Sequence, residues 1–84
     1  MSYRILILPR AQRDLAAASS PQFETLETKL LALGEDPRPP GCQKLSKREG
    51  WRIRVGDYRI IYEIDDAQKF VTILRVGHRR EIYR

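Results

Sequence analysis

The run Trp51-Arg52-Ile53-Arg54-Val55-Gly56-Asp57-Tyr58-Arg59-Ile60-Ile61-Tyr62, WRIRVGDYRIIY, decides how this chain folds. Two alternating runs flank Gly56-Asp57, a Gly-X pair that closes a two-residue β-hairpin with a type II′ turn. That turn sets a register in which Val55 faces Tyr58, Arg54 faces Arg59, Ile53 faces Ile60, Arg52 faces Ile61 and Trp51 faces Tyr62. Side chains alternate across a strand, so one face carries Trp51, Ile53, Val55, Tyr58, Ile60 and Tyr62. The other carries Arg52, Arg54, Arg59 and Ile61. Directly opposed like charges destabilise a strand pair. Three arginines gathered on one face therefore point to an anion that normally sits there.

Downstream, Ile64 leads through Asp65–Lys69 to a further strand, FVTILRV, starting at Phe70. A five-residue loop would place Leu74 opposite Ile60 and Arg75 opposite Arg59, with Phe70, Leu74 and Val76 toward the core and Arg75 joining the arginine face. Gly77 interrupts, and HRREIYR reads as a short final strand; with the alternation kept through the glycine, Arg79 and Tyr83 share the face of Arg75, whereas a bulge there would reverse this.

Upstream, YRILIL (residues 3–8) reads as a short buried strand ended by Pro9, which cannot donate to a ladder but suits a helix start. Ala11, Leu15 and Ala18 then recur at helical spacing. Ser19, Ser20 and Pro21 open a second helix, along which Phe23, Leu26, Leu30 and Leu33 form one apolar stripe until Gly34 and Pro37 end it. Residues 35–50, EDPRPPGCQKLSKREG, form a long irregular connector with Leu45 as its anchor to the core. Lys44, Lys47 and Arg48 make it basic, either as the rim of a nucleic-acid site or as a solvated loop. The element order predicts an α+β fold, β-α-α-β-β-β(β), an antiparallel sheet with two N-terminal helices packed on one face and the arginines on the other.

Eighty-four residues suffice for a single domain, 1–84, with one modest core. Apolar runs are too short for a membrane span and the N-terminus lacks the apolar stretch of a signal peptide, so a cytoplasmic protein is expected. One cysteine, Cys42, and one histidine, His78, do not suggest a metal site of nitrogen and sulfur ligands, and no cofactor is expected. The formal charge is +5, and residues 43–84 hold eleven basic against six acidic groups. A basic half of this kind either attracts polyanions or simply keeps the protein soluble.

WRIRVGDYRIIYEI followed by VTILRVGHRREIY, with the preceding β-α-α order and the Lys44-Leu45 pair, resembles the RelE/ParE superfamily of bacterial toxins of type II toxin–antitoxin systems, RelE-like branch. The resemblance implies a ribosome-dependent endoribonuclease that cuts mRNA and is neutralised by a cognate antitoxin in a hetero-oligomer. It places Arg52 and Arg54 where studied relatives carry lysines, Arg59 and Arg79 on catalytic arginines, and Tyr83 on a C-terminal catalytic tyrosine. Arginine keeps the charge there but cannot act as a base of lowered pKa.

The chemistry expected without a metal has Arg54, Arg59 and Arg79 clamping the phosphate and Tyr83 removing the 2′-OH proton, its phenolate favoured by nearby arginines. The resemblance makes Arg79 the proton donor to the leaving oxygen. His78 titrates in a useful range, although alternation turns it to the opposite face. Arg52, Arg75, Lys44, Lys47 and His78 complete the expected substrate-binding set. A ParE-like gyrase inhibitor without nuclease activity and a passive RNA-binding domain are the alternatives.

Overall fold

The computed structural model describes residues 2–78, so Arg79 and Tyr83 lie outside the described residues. Strand β1 (Arg4–Ile7) is followed by helices α1 (Pro9–Ala16) and α2 (Ser20–Ala32). A two-residue strand β2 (Gln43–Lys44) then precedes β3 (Trp51–Val55), β4 (Tyr58–Asp65) and β5 (Phe70–His78).

The central hairpin has the register expected of its turn, from Val55↔Tyr58 to Trp51↔Tyr62. Gly56 has φ 61° while Asp57 has no positive φ, the pattern of a type II′ turn. Ile53, Val55, Ile60 and Tyr62 are buried in the core, with Trp51 and Tyr58 packed at its edge. Both helices cover this face. Pro9 and Pro21 sit in the first turns of α1 and α2, where a missing N–H has no intrahelical partner to lose. α1 buries Ala11 and Leu15, and α2 buries Leu26 and Leu30, with Leu33 just beyond it. Gly34 ends that helix where the chain passes close to β1: a β-carbon there would lie 3.0 Å from the Tyr3 carbonyl oxygen, and the Tyr3 amide donates to the Gly34 carbonyl at 2.7 Å.

The sheet runs β1-β5-β4-β3-β2 and is mixed, which corrects the expectation of an antiparallel one. β1 pairs parallel to β5, Arg4↔Phe70 through Ile7↔Ile73, while the other pairs are antiparallel. Parallel neighbours need a long connection between them, and here everything from α1 to β4 supplies it.

The β4–β5 register also differs from the five-residue-loop reading. β4 extends to Asp65, which pairs with Phe70, leaving a four-residue loop. The Gln68 amide donates to Asp65 Oδ1 at 3.0 Å and Lys69 takes φ 61°, which tightens the turn by one residue. Val71 and Ile73, rather than Phe70 and Leu74, therefore face the core. A bulge between Ile61 and Tyr62 leaves Leu74 as the extra residue, after which Ile61 pairs with Arg75, Ile60 with Val76 and Arg59 with Gly77. Val76 thus returns to the core as expected, and the strand continues through Gly77 to His78 instead of breaking there.

The connector is more firmly held than its composition suggests. The buried Tyr62 hydroxyl donates to the Pro37 carbonyl at 2.7 Å. Arg38 bonds Asp66 at 2.9 Å and lies 5.3 Å from the Trp51 ring centre, and the Tyr3 hydroxyl donates to Asp66 at 2.6 Å.

Candidate nucleic-acid interface

The hairpin places Arg54 directly opposite Arg59 on the sheet face away from the helices. Arg54 is exposed, whereas Arg59 is only 7 % exposed, the buried charged side chain among the described core residues. Its neighbour in register on β5 is Gly77, which brings no side chain to compete for space. A cation held at such a position interacts more strongly with an anion than one in bulk water, and its burial is costly without compensating charge.

Arg52 stands next along the same face, opposite Ile61 and Gln43. Its Nε donates to the Gln43 side-chain oxygen at 3.1 Å, and Nη2 donates to the same atom. Gln43 therefore orients Arg52, a role the sequence conceals because a two-residue strand has no periodicity to read. Ile61, 2 % exposed, forms an apolar floor between Arg52 and β5.

The other expected residues are distributed differently. Arg75 is opposite Ile61, yet its guanidinium does not join the arginine face: Nε bonds Asp14 Oδ2 on α1 at 2.9 Å. The sequence reading passes over Asp14 as well, although it lies three residues after Ala11 and four before Ala18, on the packing stripe of the helix. Lys44 pairs with Trp51, which puts it on the helix side of the edge strand, and Lys47 is exposed in the following loop. His78 pairs with Tyr58 on the helix side, as alternation predicts, with the rings edge-on at 6.0 Å and 71°. The two line an open groove of about 470 Å³ with Pro21, Gln22, Thr25 and Val55. The structure thus brings Arg52, Arg54 and Arg59 together and holds Arg75, Lys44 and His78 away from them.

Such a face can bind a phosphodiester through forked donors that keep their charge at neutral pH. Arg54 and Arg59, being adjacent, can grip two oxygens of one phosphate, with Arg52 along the strand suited to the next.

Comparison with known proteins agrees with this geometry. Residues 5–83 match the family described as ParE toxin of type II toxin-antitoxin system, parDE. The toxin RelG of Mycobacterium tuberculosis is 35% identical over an alignment spanning 100% of this chain and 99% of its own length. The toxin–antitoxin complex RelBE2 of the same organism contains a chain of similar fold, with TM-score 0.84, 28% identity, and coverage of 94% of this chain and 100% of that one. The RelE–RelB complex of Pyrococcus horikoshii gives TM-score 0.83 and 25% identity, covering 96% and 99% of the two chains. With a shared fold over nearly its whole length and a family match that runs through the arginine-bearing strands, the chain belongs to the RelE/ParE superfamily of type II toxins.

Proposed function

We propose that this toxin is a ribosome-dependent mRNA endoribonuclease, and that the arginine face of the central hairpin is its phosphate-binding wall. The observation that carries the reading is the cross-strand pair of Arg54 with the buried Arg59, which sets two forked cationic donors side by side on one sheet face. In the proposed reaction the 2′-oxygen attacks phosphorus, the bond to the 5′-oxygen breaks, and a 2′,3′-cyclic phosphate and a 5′-hydroxyl result. Tyr83 takes the 2′-OH proton, while Arg54, Arg59 and Arg79 hold the charge that develops on the phosphorane. Arg52, oriented by Gln43, contacts a neighbouring phosphate. The place of His78 on the helix side counts against it as the acid, and the family resemblance implies Arg79 for that role.

A cognate antitoxin is the proposed partner, in a toxin–antitoxin hetero-oligomer. RelE proteins of M. tuberculosis, P. horikoshii and Escherichia coli occur with an antitoxin in their solved complexes. A second reading, a gyrase inhibitor without nuclease activity, draws support from the ParE description of the matched family.

Primer extension on cellular mRNA during induced expression tests the first reading. New cleavage ends that require translation, and that vanish in Arg79→Ala and Tyr83→Phe, are expected. Loss of supercoiling activity with intact mRNA would establish the second reading instead, and salt-sensitive RNA binding without cuts would reduce the protein to a passive binder.

A further inference from the structure

Where β1 ends at Ile7 and the chain turns into α1, the edge of β5 has no further strand partner among the described residues: β1 covers Phe70–Ile73. The bulge falls immediately after this point. A strand edge without a partner leaves backbone groups to be satisfied by other means. Here one carboxylate oxygen meets the need, because Asp14 Oδ2 accepts the Val76 amide at 2.9 Å and the Arg75 Nε at 2.9 Å. Both contacts are partly buried, and both donors lie directly after the extra residue Leu74.

The bulge has a consequence on the opposite side of the sheet. A regular ladder continued from Tyr62↔Ile73 would set Arg75 opposite Ile60, on the core face, and Val76 opposite Arg59. With the bulge, Val76 packs in the core at 1 % exposure and Gly77 lies beside Arg59.

We propose that Asp14 is a positioning residue for the arginine site: by capping the open edge of β5 immediately after the bulge, from α1, it holds the phase of the last residues of β5, and so fixes the space in which Arg59 is held. Asp14 touches no substrate. It acts through Arg75 and the Val76 amide on the strand that flanks Arg59. The part of this proposal that concerns catalysis rests on the endoribonuclease reading; the part that concerns register does not.

The test compares the wild-type chain with Asp14→Asn, which keeps an acceptor but loses the charge, and Asp14→Ala, which loses both. Amide hydrogen exchange and cross-strand nuclear Overhauser effects report the register, and single-turnover cleavage of mRNA on programmed ribosomes reports the site. In Asp14→Asn, exchange at Val76 is expected to quicken by about tenfold while the β3–β4 hairpin keeps its protection, with a larger effect in Asp14→Ala. The Arg59–Gly77 cross-strand signal is expected to weaken, and the maximal single-turnover rate to fall by about tenfold with the half-saturating concentration unchanged, because a displaced guanidinium costs transition-state stabilisation more than binding. Should Asp14→Ala fail to fold, the milder variant decides. Wild-type exchange and an intact Arg59–Gly77 signal in the folded variants would overturn the proposal. Protection reduced evenly over the whole sheet, with activity reduced only in proportion to the folded fraction, would overturn it too, as would a weakened signal with full activity. If the wild-type protein itself leaves mRNA uncut, the endoribonuclease reading falls, and the exchange and cross-strand data still decide whether Asp14 sets the register.

Discussion

Arg54 and Arg59 carry opposite consequences for stability and for function. Facing each other across the hairpin, they repel, so Arg54→Thr is expected to stabilise the protein by about 0.5 kcal/mol in urea denaturation. The same substitution removes one of the three arginines of the proposed clamp and should slow mRNA cleavage by about 10²-fold, as should Arg59→Ala. Tyr62 illustrates a different balance. Burial pushes its phenol well above the ordinary tyrosine value, and its hydroxyl donates to the Pro37 carbonyl. The unfolded chain ionises this tyrosine near pH ~10 while the folded one does not. Stability is therefore level below that pH and falls above it. Tyr62→Phe should remove this alkaline loss, and at neutral pH should cost about 1–2 kcal/mol by leaving the Pro37 carbonyl without its donor. Equilibrium unfolding from pH 7 to 11 checks both expectations.

Among the elements, the connector between α2 and β3 is tied to the β4–β5 turn through one anion, Asp66. The Arg38 guanidinium, and after it the Tyr3 hydroxyl, hold the Asp66 carboxyl down to about 2. A carboxyl depressed on folding stabilises above its unfolded value, and that contribution disappears as pH falls through the folded one. The wild type should therefore lose stability between pH ~4 and about 2, and Asp66→Asn should show a flatter acid profile in the same window when thermal midpoints are compared. The elements also differ in how far the sequence alone reveals them. The β3–β4 register follows from Gly56-Asp57 because a two-residue turn leaves no freedom. The apolar stripe of α2 is equally legible. β5 is not: its phase depends on a left-handed Lys69, on the Asp65 side chain capping the turn, and on a bulge followed by an edge capped by Asp14, sixty-one residues from Arg75. Interactions between distant residues leave no periodic trace, which is also why alternation alone puts Arg75 on the arginine face. β2 is hidden for a simpler reason, since two residues cannot show alternation.

For the molecule as a whole, the charge is asymmetric, with the excess of basic groups confined to residues 43–84. Affinity for single-stranded RNA should fall steeply with salt, and Arg54→Ala should lower the slope of log K against log salt by about 0.7 for each phosphate the variant no longer neutralises. Filter binding at several salt concentrations measures this. The parallel pairing of β1 with β5 bears on when such a surface comes into being. β5 lies between β1 and β4, so the last of the described strands to be synthesised is an interior one, and the first has no neighbour in the sheet until it arrives. Pairings between segments far apart in the chain form late, and domains complete as units once their parts have emerged. A nascent chain of this toxin therefore cannot assemble the wall beside Arg59 while β5 is still within the ribosome that is making it. The fold holds back maturation of that face until the strand is free, so the order in which the strands appear sets when the arginine surface can exist.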